Sequence, residues 1–166
     1  MNQRSAFRAL AVVLALACIA CSSSHEESGE DDSTGGVSTG DCSTRADKLA
    51  LGLSKRSTSG VLFSLSSIEP SVPVQSPGPP GNSWSIEIRD SNGVPLSGAL
   101  NVTTFMPDHG HAGPPTIGVE SQPGLYAIDE LVFPMPALYA VTFTLTETGG
   151  DMASVAIAVC VEPSSG

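Results

Sequence analysis

The sequence predicts an all-β protein, a small immunoglobulin-like antiparallel β-sandwich of about seven strands. Apolar and polar residues alternate with a period of two along most of the chain after residue 60, as expected for strands with one buried face. The 17 glycines and 13 prolines supply turns between these runs. Aromatic residues make up 5% of the chain and charged residues 14%, a composition that suits short strands better than long helices.

The clearest predicted strand contains Trp84, Ile86 and Ile88, which alternate strictly with polar residues. A similar alternation over residues 61–65 predicts the strand before it. The tetrapeptide DSNG at residues 90–93 follows, and Asn-Gly readily adopts the positive φ angles of a tight turn. These features predict two core strands with a turn after the second.

Near the C-terminus, two alternating runs at residues 139–145 and 155–161 flank Gly149 and Gly150 and predict a β-hairpin. Shorter strands are expected near residues 117–120 and 125–128, and one or two helical turns near residues 46–53. The proline-rich connection from residue 70 to 81 cannot join the interior of a sheet, because proline lacks the N–H that a ladder requires.

Residues 1–20 read as a secretory signal peptide. Arg4 and Arg8 precede an uncharged run to residue 20, which is too short for the about 20 apolar residues of a membrane span. The run ends at Cys21, which follows Ala20 and precedes serines, and this looks like the lipobox of bacterial lipoproteins. We expect acylation of Cys21 and attachment to a membrane of the cell envelope, facing the periplasm or the exterior. Cys18 is the rival lipidation site, and an ordinary cleaved signal peptide is the alternative.

The organisation predicted after the signal peptide is a lipidated Cys21 with a disordered acidic linker to residue 41, a lead-in over residues 42–59 and a sandwich over residues 60–162. The linker holds six acidic residues and no basic one, so it cannot bury enough surface to fold. Without residues 1–20 the chain has 5 basic and 17 acidic residues, a net charge of −12. This charge argues against nucleic acid and favours cations as partners.

Two cysteines remain beyond the signal region, Cys42 before the sandwich and Cys160 in its last predicted strand. In an oxidising compartment such a pair most often forms a disulfide. Cys160 has the parity of Ala156 and Ala158, opposite to the core-facing positions, so the bond would fasten the lead-in to an outer face or a sheet edge. Metal ligation and a reactive thiol remain as alternatives.

The segment from Phe105 to Pro115 carries the most distinctive chemistry. Met106, His109 and His111 place three soft or borderline ligands within six residues, and Met135 in a second proline-flanked loop can supply a fourth. Imidazole and thioether donors suit copper, whereas calcium and magnesium prefer oxygen. If residues 109–111 are extended, the two histidines share one face. The alternative is a rigid loop in which these side chains only stabilise the fold.

We expect no enzymatic activity. No serine, histidine and aspartate occur in the context of a hydrolase motif, and no two carboxylates stand out as an acid and base pair.

Several short motifs, taken in order, resemble the YtkA-like domain, which is grouped with FixH-like proteins. They are GNSW at residues 81–84, FMPDHGH at 105–111, the tripeptide Gly-Leu-Tyr at 124–126, Met135-Pro136, and a last strand with Cys160. The resemblance covers about residues 60–161 and implies an exported, often membrane-attached, immunoglobulin-like sandwich. FixH-like proteins are associated with copper supply to membrane oxidases, and the resemblance gives such a role to Met106, His109, His111 and Met135. Where the family usually has Met-Pro-Gly-x-Trp, this chain has Ala137 and Tyr139.

The predicted function is therefore that of an exported, membrane-anchored lipoprotein that binds or delivers copper. The alternative is a structural or protein-interaction lipoprotein of the cell envelope without a metal site.

Overall fold

The computed structural model describes residues 42–76 and 81–163, and the predicted signal peptide and acidic linker lie outside these ranges. No helix within them has the length and apolar character needed to span a bilayer. These described ranges contain one short helix and nine strands: α1 (Cys42–Arg45), β1 (Ser54–Arg56), β2 (Leu62–Glu69), β3 (Asn82–Arg89), β4 (Gly98–Met106), β5 (His111–Ala112), β6 (Thr116–Gln122), β7 (Leu125–Leu131), β8 (Ala137–Glu147) and β9 (Met152–Val161).

The strands are hydrogen-bonded in the order β1-β2-β3-β7-β6-β4-β8-β9, and β5 pairs with β4. Strand β6 belongs to both halves of this order, since Thr116–Gly118 pairs with β4 and Val119–Gln122 pairs with β7. Across the core, Trp84 of β3 stacks on Phe143 of β8, with ring centroids 6.5 Å apart. The two halves therefore face each other as a sandwich.

This architecture confirms the predicted all-β, immunoglobulin-like class. Strands β2-β3-β7-β6 lie on one side and β4-β8-β9 on the other, which is the strand order of constant-type immunoglobulin domains. The described residues form nine strands where about seven were predicted. The additional ones are β1 and β5, which contain three and two residues.

The core contains the residues that alternation predicted. Trp84, Ile86 and Ile88 are at most 1% exposed, and each such side chain contributes about 1.5–3 kcal/mol by burial. The predicted C-terminal hairpin is β8–β9, which is paired without a register shift from Ala137↔Val161 to Thr146↔Met152. The predicted turn after β3 is present, with Gly93 at φ 83°.

The lead-in differs from the prediction, because its helical turn lies at Cys42–Arg45 rather than near residues 46–53. Ala46 still donates to the Cys42 carbonyl, at 3.1 Å, but the N–H of Asp47 donates to the Ala158 carbonyl of β9, at 2.8 Å. The helix ends where the backbone begins to bond to the sandwich.

A disulfide joins Cys42 to Cys160, with the Cα atoms 5.3 Å apart. Ala156 is exposed and Ala158 half-buried, as the parity argument predicted for the face that carries Cys160. The bond therefore fastens the lead-in to the outer side of β9.

Candidate functional site

Met106 and His111 occupy opposed positions on paired strands. Met106 ends β4, and His111 begins β5 as its register partner. The side chain of Met106 faces the core and is 4% exposed, whereas His111 is exposed. Directly opposed residues of an antiparallel pair have Cβ atoms about 4.5–5.5 Å apart. A thioether and an imidazole therefore originate side by side at one end of the sandwich.

His109 lies in the turn between these strands. The Met106 carbonyl accepts hydrogen bonds from the N–H groups of His109, at 3.2 Å, and Gly110, at 2.8 Å. Gly110 has a φ angle of 66°, in the left-handed region that glycine adopts without strain. The expectation of an extended 109–111 segment is therefore wrong, because the chain reverses at Gly110. Because side chains two residues apart share a face only in an extended segment, this geometry does not require the imidazoles of His109 and His111 to lie on the same face.

The tip of this hairpin is tied to the lead-in by an ion pair. The Arg45 guanidinium donates to both carboxylate oxygens of Asp108, each at 2.8 Å. This hydrogen bonding lowers the pKa of Asp108, and nearby His109 makes a smaller contribution in the same direction. Because both side chains are about half exposed, the pair contributes little stability. It links the turn that holds His109 to the lead-in.

Gly113 follows β5 and lies directly against Thr104 of β4. Its N–H donates to the Thr104 carbonyl at 2.9 Å. A Cβ atom at Gly113 would lie 2.1 Å from the Thr104 hydroxyl oxygen, so a side chain there would force Thr104 to move. That hydroxyl is buried and has no hydrogen-bond partner among the described residues. The close approach holds the strand that carries His111 against β4.

Met135 lies in the loop between β7 and β8, and Tyr139 holds its backbone. The Tyr139 hydroxyl donates to the Met135 carbonyl at 2.8 Å and accepts from the Met135 N–H at 3.3 Å. This is the tyrosine corner of immunoglobulin-like domains. Burial raises the pKa of Tyr139, against the opposing effect of its hydrogen bond to Met135.

The same tyrosine relates Met135 to Met106. The last register pair between β4 and β8 is Phe105↔Ala140, so the next position places Met106 beside Tyr139. Tyr139 is therefore the neighbour of Met106 across the β4–β8 ladder, and its hydroxyl is hydrogen-bonded to the backbone of Met135. The Met135 side chain is 38% exposed.

The proline-rich connection stiffens this second loop. The Ser76 N–H donates to the Phe133 carbonyl at 2.8 Å, and the Gln75 side-chain amide donates to the Pro134 carbonyl at 3.2 Å. The buried Asn82 side chain in turn bonds to both the N–H and the carbonyl of Val74, each at 3.0 Å. Met135 is thus presented by a loop that is bonded on two sides.

The structure therefore brings Met106, His111 and Met135 to one end of the sandwich, with His109 on the adjoining turn. Residues 42–76 and 81–163 contain no group of three or more His, Cys, Asp or Glu side chains placed to hold a metal ion. Thioether and imidazole donors suit Cu(I).

Three contacts at this end were not predicted: Arg45 with Asp108, Thr104 with Gly113, and Asn82 with Val74. The first joins residues 63 positions apart, and no local pattern signals it.

Comparison with protein-family models, with curated proteins and with solved structures finds no match for this chain. The resemblance to the YtkA-like domain therefore stays a prediction, and so does the copper role that it implies. Tyr139, which stands where that pattern usually has tryptophan, forms the corner that holds Met135.

Proposed function

We propose that the chain is an exported, lipid-anchored, non-enzymatic protein that binds Cu(I) at the Met/His end of its sandwich. Met106, His111 and Met135 supply the donors, and His109 adds a second imidazole from the adjoining turn. The register pair of Met106 and His111, beside the tyrosine that holds Met135, is the observation that carries this proposal.

The donor set argues for copper in its reduced state. Thioether sulfur is a soft ligand that selects Cu(I), and imidazole also binds copper. A buried thioether and an exposed imidazole on opposed positions form a donor pair at the boundary between core and solvent. The net charge of −10 attracts cations to the protein surface.

The experiment is a competitive Cu(I) titration of the purified full chain against a chromophoric chelator, after metal analysis of the protein as isolated. His111→Ala should weaken Cu(I) binding at least about tenfold, equivalent to about 1.4 kcal/mol. His25→Ala is the matched control, because His25 lies in the acidic linker outside the described residues, and it should leave the affinity unchanged. No Cu(I) binding, or equal affinity in His111→Ala, would overturn the proposal.

A second candidate is a protein-interaction module in which the Met/His hairpin serves only as scaffold. The outer face of the β4-β8-β9 sheet favours it, since the described residues there carry no charge. Thermal unfolding of the metal-free His109→Ala/His111→Ala variant separates the two candidates. A melting temperature within a few degrees of the parent favours a metal site, whereas a large loss of stability marks the histidines as scaffold.

A further inference from the structure

The outer edge of β9 has main-chain groups directed away from the sandwich. Both the N–H and the carbonyl of Ala158 bond to Asp47, which lies outside the β8–β9 ladder. Because hydrogen-bonding direction alternates along a strand, Met152, Ser154 and Ala156 direct their N–H and carbonyl groups to the same outer side. Within the described residues, these three positions have no strand partner on that side.

This edge lacks the features with which proteins usually prevent strand pairing. Charged side chains, prolines and bulges are the common protections. From Met152 to Ala156 there is no charged residue or proline, and the ladder with β8 shows no register shift. The edge strand of the other sheet, β1, is three residues long, carries Lys55 and Arg56, and lies close to β9 without pairing with it. The β1 edge is therefore short and charged. On β9, the main-chain groups from Met152 to Ala156 keep no second strand partner within the described residues.

The sheet face next to this edge is also uncharged. Its outward positions on β4, β8 and β9 are Ala99, Asn101, Thr103, Phe105, Ala140, Thr142, Thr144, Thr146, Met152, Ser154 and Ala156. The outer face of the other sheet, in contrast, carries Glu87, Arg89 and Asp129. In a chain of net charge −10, two copies meet the least repulsion where the β9 edge and its neutral face come together.

The free stretch is complementary to itself. An antiparallel pairing centred on Ser154 sets Met152 opposite Ala156 of a second copy, so all outward groups of the three residues pair. Continued by one step, this register sets Gly150 opposite Ala158, whose outer groups are already bonded to Asp47. In this register, the turn at Gly150 in one copy therefore lies opposite Ala158 of the other copy, where that copy's free edge ends. A Cβ atom at Gly149 or Gly150 would meet nothing within 4 Å, so this turn is not packed against other described residues.

We propose that two copies of this chain associate through β9 by antiparallel edge pairing centred on Ser154. The association joins two β4-β8-β9 sheets into one continuous sheet. It leaves the Met/His end free, since β9 reaches that end only at Val161.

The test is the oligomeric state of the purified full chain, measured by sedimentation velocity over a wide concentration range, together with hydrogen exchange. The parent should show a reversible monomer–dimer equilibrium. The amides of Ser154 and Ala156 should exchange more slowly as the dimer fills.

Ser154→Lys sets two like charges opposite each other and should raise the dimer dissociation constant at least about tenfold. The substitution lowers the net negative charge, so weaker association cannot be ascribed to general repulsion. Thr103→Lys is the matched control, because it adds the same charge to the exposed outer face of β4, away from the edge. It should leave the dimer intact.

A chain that is monomeric at every concentration would overturn the proposal. So would protection of Ser154 and Ala156 that does not depend on concentration, since another part of the same chain would then cover the edge. A dimer weakened equally by both substitutions would place the contact on the sheet face and would also contradict edge pairing.

Discussion

Asp47 binds the main chain of Ala158 twice, through its own N–H and through its carboxylate, each at 2.8 Å. Its other carboxylate oxygen accepts a hydrogen bond from Lys55 of β1 at 2.6 Å. One lead-in residue therefore joins the two outermost strands, β1 and β9, which belong to opposite sheets. Burial acts to raise the pKa of Asp47, but its bonds to Lys55 and Ala158 outweigh that effect and lower it.

Asp47→Ala should destabilise the protein by about 1.5–3 kcal/mol, the range for a hydrogen bond to a charged group. Because the folded-state pKa lies below the ordinary value of 3.8, the contribution is present above that pH and is lost as pH falls through the folded-state pKa. Urea unfolding at neutral pH and at about pH 2.5 measures this difference. Asp151→Ala, in the β8–β9 turn, is the control, and an equal loss in both variants would contradict the assignment.

The disulfide between Cys42 and Cys160 should be the largest single stabilising contribution of the lead-in. The cysteines are 118 positions apart, and a loop of this length corresponds to roughly 4–5 kcal/mol in the chain-entropy model. Intact-mass measurement before and after reduction should show the loss of two hydrogens in the exported chain, and Cys160→Ser should lower the melting temperature. Free thiols at both cysteines in unreduced material would contradict this prediction.

Tyr139→Phe should show how Cu(I) binding depends on the hydrogen bonds that hold the Met135 loop. It removes the bonds to Met135 and keeps the ring that packs 4.8 Å from Phe133, so stability should fall by about 1–3 kcal/mol. Cu(I) affinity should fall as well, because the Met135 loop loses its anchor.

Tyr126→Phe is the matched control for that variant. The Tyr126 hydroxyl donates to the Leu96 carbonyl at 3.0 Å, at the opposite end of the sandwich. We expect a similar loss of stability and no change in Cu(I) affinity. Equal effects of both variants on copper binding would show that the site does not depend on the Met135 loop.

The lipid anchor is tested by substitution of each candidate cysteine. Cys21→Ser should release the protein from the membrane fraction, while Cys18→Ser leaves it there, because acylation at Cys21 supplies the hydrophobic attachment. The reverse pattern would move the lipid to Cys18. Fractions unchanged by either substitution would remove the lipoprotein assignment.

The long strands could be predicted because burial on one side imposes a period of two, as at Trp84, Ile86 and Ile88. Strands β6 and β7 lie where expected but are longer, Thr116–Gln122 and Leu125–Leu131. Strands β1 and β5 are too short to show a period, and they form because longer strands offer free partners beside them.

For the candidate site, the sequence could suggest only residue types and the segments that carry them. The register places Met106 beside Tyr139, whose hydroxyl bonds to the backbone of Met135. The relation of His109 to His111 could not be predicted, because it depends on whether residues 107–110 continue the strand or close a turn. With Pro107 at the start and Gly110 at φ 66°, the turn forms.

X-ray absorption spectroscopy of the Cu(I)-loaded full chain identifies the atoms bound to the metal and so tests the proposed Met/His site. Sulfur and imidazole nitrogen should appear together in the first coordination shell, with less sulfur scattering in Met106→Leu, a change that nearly conserves core volume. A shell of nitrogen and oxygen alone, or sulfur scattering unchanged by loss of the Met106 thioether, would contradict the proposed site.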